Sequence, residues 1–128
     1  MSDPENGTAA AASGPSPRAL LFTLEGREFA LSVESIVEVV RHRRATPVPR
    51  SAAAVEGVVP MRGRMVTVVD LRACLTLPAR PDGASARLIV VETAGERVGL
   101  VVDRVSGVSP PGPGAFLLDV GALLRGIS

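Results

Sequence analysis

Arg62 is the side chain in this sequence best placed to do chemistry. It stands between Gly57 and Gly63 in the run Val55-Glu56-Gly57-Val58-Val59-Pro60-Met61-Arg62-Gly63, just before an alternating apolar segment that ends at Asp70. A guanidinium on a rigid turn at a strand edge can hold a carboxylate or backbone carbonyls in a two-pronged grip that lysine reproduces poorly. That is docking chemistry, and the plainer alternative is a turn cap or a surface ion pair. Cys74 and His42 are the lone thiol and the lone imidazole. Cys74 falls on the apolar side of a short helical segment, where a thiol fills space as a small hydrophobe. His42 lies among Arg41, Arg43 and Arg44, and no spacing brings it to Cys74. Asp70 and Asp119 each precede a short apolar segment, where a carboxylate caps free amide groups. Neither has neighbours that would complete a metal site. Asp103 reads as a turn residue or a member of a surface pair. The glycines fall singly at turns, so no phosphate-cradling loop is present. These residues imply an adaptor with no catalytic centre, no cofactor and no metal.

The elements that must position Arg62 fit in one domain, or in two small subdomains sharing a core, because the chain has 128 residues. Residues 1–18 are rich in Ala, Ser, Gly and Pro and predict a disordered N-terminal tail, leaving 19–128 to fold. That tail lacks the apolar centre of a secretory signal, and later apolar runs are broken by Asp, Arg, Gly and Pro. The expectation is a cytoplasmic protein with no direct membrane insertion. A single cysteine agrees with a reducing compartment. Net charge is +1, and there is no Trp or Tyr and only three Phe, so stacking platforms for single-stranded nucleic acid are poorly supported. A small basic-patch nucleic-acid-binding barrel using Arg41, Arg43, Arg44, Arg50 and Arg64 stays as the alternative function, with an oligomerising β-barrel as a lesser one.

Period-two alternation places a strand through Leu20, Phe22 and Leu24, a turn at Glu25-Gly26, and a returning strand through Phe29 and Leu31. Ser32 caps a short helical turn at Val33-Glu34-Ser35. Val37, Val39 and Val40 favour another strand, with Glu38 facing away from Val37 and Val39 and towards solvent. Thr46-Pro47-Val48-Pro49 predicts an extended connector. Arg64 to Val69 is apolar on both faces and reads as a strand buried on both sides. Asp70 then caps a helix over Leu71–Leu75. Arg80-Pro81-Asp82-Gly83 marks a turn, and Leu88–Val91 with Val98–Val102 forms a second hairpin around Ala94-Gly95.

An internal repeat links these pieces. Gly26, Phe29, Leu31, Val33, Glu34, Ile36 and Val39 match Gly95, Val98, Leu100, Val102, Asp103, Val105 and Val108 at one constant offset. Val69-Asp70-Leu71 with Ala73-Cys74-Leu75 matches Leu118-Asp119-Val120 with Ala122-Leu123-Leu124 at an offset roughly twenty residues shorter. Two similar β-subdomains are implied, approximately 19–85 and 86–128, with strand exchange between them possible and the second short of a strand or covering loop.

The ordered motifs Phe22-x-Leu24-x-Gly26-x-x-Phe29-Ala30-Leu31, Ile36-Val37-Glu38-Val39-Val40-Arg41, Thr46-Pro47-Val48-Pro49, Gly57-Val58-Val59-Pro60-Met61-Arg62-Gly63, Val68-Val69-Asp70-Leu71-Arg72 and Gly99-Leu100-Val101-Val102-Asp103-Arg104-Val105 resemble the CheW-like domain of bacterial chemotaxis coupling proteins. The resemblance covers most of the ordered length. It implies an all-β fold of two interlocked SH3-like β-barrel subdomains with short helices, the second truncated, and no enzymatic activity. It also implies a chemotaxis adaptor between methyl-accepting chemotaxis receptors and a CheA-type histidine kinase, acting in cytoplasmic chemoreceptor clusters. Receptor tips are expected in the groove between subdomains, and the positions matching the receptor-facing part are Ile36, Glu38, Val58, Met61 and Arg62. Val48 and Arg50 are the expected kinase-facing positions, and Gly57, Gly63, Asp70 and Asp119 the structural turns and caps. Pro60 departs from the family's asparagine, removing a backbone donor and a side chain that could staple the turn. The short stretch Ser109–Ala115 departs too. A shortened second subdomain leaves two readings open, an ordinary coupler and a divergent accessory one that keeps receptor binding with altered kinase binding, and an open edge gives possible self-association.

Overall fold

The computed structural model describes residues 18–112 and 114–125. The expected tail therefore lies outside the described residues, except for Arg18. The chain is all-β, with two sheets and a few short helices. Strands β1 (Ala19–Leu24) and β2 (Arg27–Ser32) form the first hairpin, followed by a 3-10 turn at Val33–Ser35 and strand β3 (Ile36–Arg41). Strands β4 (Val55–Met61) and β5 (Arg64–Asp70) come next, then helix α1 (Leu71–Cys74). Strands β6 (Arg87–Thr93) and β7 (Glu96–Val102) make another hairpin, and β8 (Arg104–Ser109), β9 (Phe116–Leu117) and helix α2 (Val120–Arg125) complete the chain.

The tight hairpins share one local cause. Glu25-Gly26, Arg62-Gly63 and Ala94-Gly95 each join two strands with both residues at positive φ, the geometry whose twist matches paired strands. Glycine adopts it freely at the second position, whereas Arg62 is held at φ +52.

Each sheet takes strands from both sides of the 85/86 boundary. The four-stranded sheet runs β8-β1-β2-β9, and the five-stranded sheet runs β3-β6-β7-β5-β4. The third strand of each repeat therefore pairs with the other repeat's hairpin. The exchange obeys the sequence offset residue by residue. Leu21 opposes Gly107 and Phe22 opposes Val105, with Ser106 bulged. In the other sheet Val90 opposes Glu38 and Val91 opposes Ile36, with Val37 bulged. The parallel pairs follow as well, Phe29 with Phe116 and Ala30 with Leu117 in one sheet, Val98 with Thr67 and Gly99 with Val68 in the other. The internal repeat is thus a repeat in three dimensions.

The same comparison locates the shortening. Residues 42–63 separate β3 from β5 and include β4, whereas only 110–115 separate β8 from β9. Among the described residues β4 has no counterpart in the four-stranded sheet.

Alternation along the strands sorts the apolar side chains into two clusters. One is shared by the sheets and includes Phe22, Leu24, Phe29 and Leu31 from one side, with Val69, Ile89, Leu100 and Val102 from the other. The second fills the five-stranded barrel alone, with Val59, Met61, Val66, Val68, Leu88, Val90 and Val101. β5 serves both clusters, Val66 and Val68 facing the lumen and Val69 the shared core, which is why both its faces read as apolar. Burying each such aliphatic side chain contributes about 1.5–3 kcal/mol.

One backbone approach is sterically critical. Thr46 and Val58 exchange two backbone hydrogen bonds of 2.9 Å, and a Cβ on neighbouring Gly57 would lie 2.1 Å from the Thr46 carbonyl oxygen. Gly57→Ala is expected to destabilise the fold by on the order of 3 kcal/mol. Gly112→Ala, where a Cβ meets nothing within 4 Å, should shift stability by no more than about 0.5 kcal/mol. Urea unfolding of the two variants checks this.

Candidate functional site

The five-stranded sheet closes on itself through side chains. Its edge strands, β3 and β4, are not hydrogen-bonded neighbours, yet Glu38 of β3 meets the Arg62 turn beyond β4. The Arg62 Nε donates to Glu38 Oε2 at 2.9 Å and Nη2 donates to Oε1 at 3.1 Å. Further along, His42 Nε2 and Glu56 Oε1 are 2.8 Å apart, and the Thr46–Val58 bridge continues the seam. Two acid–base pairs and a short bridge therefore zip edges that the ladder leaves open.

The seam fixes the direction of Arg62. Its side chain is 73 % exposed while that of Glu38 is 18 % exposed, so the carboxylate sits at the base and the guanidinium stands above it. The hydrogen bond from Arg62 lowers the Glu38 pKa, and the same bond raises that of Arg62. Glu38 is thereby an ion-pair anchor instead of the solvated carboxylate that alternation alone implied. The turn is a fixed cationic knob.

The other expected contact residues scatter around this knob. Met61 is 5 % exposed and turned into the barrel lumen, because alternation along β4 sends Val59 and Met61 inward and Pro60 outward. That removes Met61 from the surface. Ile36 is half-buried and packs against the shared core, and Val58 is half-buried at the bridge with Thr46. Pro60 is tolerated because β4 is an edge strand, where a missing N–H breaks no ladder. Val48 and Arg50 lie exposed on the connector, where the Ser51 hydroxyl and N–H both donate to the Val48 carbonyl. Among the five expected receptor-facing residues, none lines the cleft between the sheets, which is formed by Ser32, Glu34, Glu92, Thr93, Leu118 and Asp119 with their neighbours.

Asp70 accepts the Arg72 N–H at 3.0 Å and Asp119 accepts the Ala122 N–H at 3.1 Å, each at the start of its helix. Cys74 packs against the shared core, and burial followed by the nearby Asp70 charge pushes its thiol up, away from the reactive thiolate. Two members of the basic reading have partners within the fold. Arg64 donates to the Gly95 carbonyl at the next hairpin tip, and His42 is tied to Glu56. Among the described residues no group of three or more His, Cys, Asp or Glu is set to hold a metal, and no helix is long and apolar enough to cross a membrane.

Sequence reasoning overlooked one pair. Arg72 is only 8 % exposed, and its guanidinium grips both oxygens of Asp103 while Nη1 donates to the Pro78 carbonyl. Asp103 sits at the corner between β7 and β8 and also accepts the Glu25 N–H from the first hairpin tip at 2.8 Å. It therefore ties α1, the corner and the opposite sheet together. The signal was an arginine beside a helix cap, in a segment otherwise apolar. Burial raises the Asp103 pKa, but the bonds from Arg72 and the Glu25 N–H, with the Arg72 and Arg80 charges, outweigh it and hold the carboxyl below its ordinary range.

A depressed carboxyl contributes stability that is fully present above the unfolded-state pKa and lost as pH falls through the folded one. Asp103→Asn is accordingly expected to cost roughly 2 kcal/mol near neutrality, below the range for fully buried pairs because the site borders solvent. The gap between variant and parent should close on acidification below the ordinary Asp range, as urea titrations at several pH values will show.

A family model described as the CheW-like domain matches residues 18–112. The chemotaxis protein CheW of Thermotoga maritima is 37% identical over 89 residues, covering 70% of this chain and 58% of that protein. The chemotaxis protein CheW of Bacillus subtilis is 30% identical over 89 residues, covering 70% and 57%. Protein PilI of Pseudomonas aeruginosa is 33% identical over 87 residues, covering 68% and 49%. The crystal structure of the scaffolding protein TtCheW from Thermoanaerobacter tengcongensis superposes with a TM-score of 0.70 at 28% identity, covering 77% of this chain and 68% of that one. This chain thus spans between about half and three fifths of the length of these curated relatives.

Proposed function

The chain belongs to the CheW-like domain family, and on that premise we propose that it is a non-enzymatic chemotaxis adaptor that couples methyl-accepting chemoreceptors to a CheA-type histidine kinase. The observation that carries the reading is the Arg62 knob, an exposed guanidinium on a rigid turn, braced from below by Glu38. Such a group meets a receptor helix with little loss of side-chain freedom, because its orientation is set before the partner arrives. Ile36 and Val58 supply aliphatic contact beside it, Glu38 holds it in place, and Met61 supports the turn from the lumen. The connector turn with Val48 and Arg50 is the proposed kinase-facing surface. In this reading the protein works in the cytoplasm within receptor clusters and transmits signals through packing alone. The four-stranded sheet, lacking a strand, makes it a divergent accessory coupler in which receptor binding is kept and kinase binding is altered.

Calorimetric titration against a receptor-tip fragment and, separately, against the kinase regulatory domain tests both parts. Arg62→Ala should weaken receptor binding by roughly tenfold or more while leaving the protein folded, with only a small fall in its unfolding midpoint from the lost pair with Glu38. Glu38→Gln should weaken it less, by freeing the guanidinium without removing it. Receptor affinity unchanged in Arg62→Ala would refute the assignment of the knob, and absence of binding to both partners would refute the coupling role.

A further inference from the structure

The two sheets correspond residue by residue, so the complete one shows what the other lacks. In the five-stranded sheet β4 lies on the outer edge of β5 and seals the lumen with Val59 and Met61. The counterpart of β5 is β9, which among the described residues pairs only with β2. Leu117 stands where β5 has Val68. Val68 is 0 % exposed, whereas Leu117 is 65 % exposed, next to Phe116 at 61 %. The surrounding wall has lost bulk in the same sense, with Ala19, Ser32 and Ala115 at the positions of Leu88, Val101 and Val66. Gly107 takes the place of Glu38, the residue that anchors the turn after β4, and a Cβ there would meet nothing within 4 Å. An open groove between β8 and β9 results.

We propose that this groove receives an extended strand from a protein partner, running antiparallel along the outer edge of β9 and placing large apolar side chains at alternate positions over Leu117. Strand addition of this kind draws affinity from backbone hydrogen bonds and specificity from alternate pockets. The sister strand supplies the pattern, with inward residues two apart, as Val59 and Met61 are. Because the wall side chains are smaller here, the inserted residues must be bulkier than those of β4.

A second copy of this chain cannot supply the strand. Among the described residues every strand of the chain is already placed in one of the two sheets. The edges of its five-stranded sheet are committed to each other through Arg62–Glu38 and His42–Glu56, and β4 is further guarded by Pro60 and by the Thr46 bridge. Residues 2–17 contain no Val, Ile, Leu, Met or Phe with which to fill a lumen. The edge of β9 carrying Phe116 and Leu117 has no such guard, and among the described residues no strand covers it. This inference does not depend on the Arg62 knob, since Leu117 and Ser32 line the cleft between the sheets and not the seam that carries Arg62.

The test is fluorescence anisotropy of the full chain with labelled synthetic peptides spanning residues 54–61, one of native β4 sequence and one carrying Val59→Phe. The expected result is saturable binding below about 1 mM, several-fold tighter for the Val59→Phe peptide. Leu117→Lys in the protein should weaken it roughly tenfold or more, whereas Met65→Lys, equally exposed on the complete sheet, should leave it unchanged. Both sites are on the surface, so each variant should keep the parent's unfolding midpoint. No saturable binding up to about 1 mM, or binding indifferent to Leu117→Lys, would overturn the proposal. So would sedimentation showing a concentration-dependent dimer that Leu117→Lys abolishes, because a second copy would then be the occupant.

Discussion

The rest of the structure depends on the exchange of third strands between two hairpins. After β2 only Val33–Ser35 separate the chain from β3, and after β7 only Asp103 intervenes before β8. A 3-10 turn in one case and a single residue in the other bend the chain without reversing it, so each third strand leaves its own hairpin and joins the other sheet. Neither hairpin then has a complete sheet without the other, and the shared cluster of Phe22, Leu24, Phe29, Leu31, Ile89 and Leu100 forms between them as a consequence. The corner at Asp103 is where the two sheets, α1 and the first hairpin tip are held in one hydrogen-bonded knot. Arg72 is buried for that reason. Its cost of desolvation is offset by bonds to two oxygens of the carboxylate and one backbone carbonyl.

The exposed guanidinium follows from a second constraint, the closure of the five-stranded barrel. A sheet of this size has two edges, and here they are joined by the Arg62–Glu38 ion pair, the His42–Glu56 hydrogen bond and the Thr46–Val58 bridge where a ladder would otherwise run. Arg62 therefore closes the seam with part of its fork and leaves the rest of the group exposed. One face of the group is spent on Glu38, and the remainder projects into solvent from a turn whose backbone has no freedom to swing.

Much of this was legible in the residues. The two-residue turns ending in Gly26 and Gly95 announced their hairpins, and Asp70 announced its helix through a carboxylate ahead of an apolar run. The constant spacing of the repeat carried the pairing registers of both sheets, although periodicity alone could not say which hairpin each third strand would join. β4 was hidden because Gly57 and Pro60 both argue against a strand, and only the edge position and the close approach to Thr46 make them compatible with one. β8 was hidden by Ser106 and Gly107 at its bulge. The burial of Met61 and the bracing role of Glu38 depend on barrel closure, a property of no single segment. Cys74 packs against the shared core, and the contact of His42 with Glu56 is one more consequence of barrel closure.

The separation of the two apolar clusters has an evolutionary reading. The shared cluster holds the lobes together, while the lumen cluster belongs to one lobe and draws on none of the residues at the strand-exchange corners. A lineage can therefore empty one barrel, shrink its wall residues and shorten its loop without loosening the joint between lobes. The shortening falls wholly within one barrel, at Pro110-Pro111-Gly112, and the joint between the lobes bears none of it.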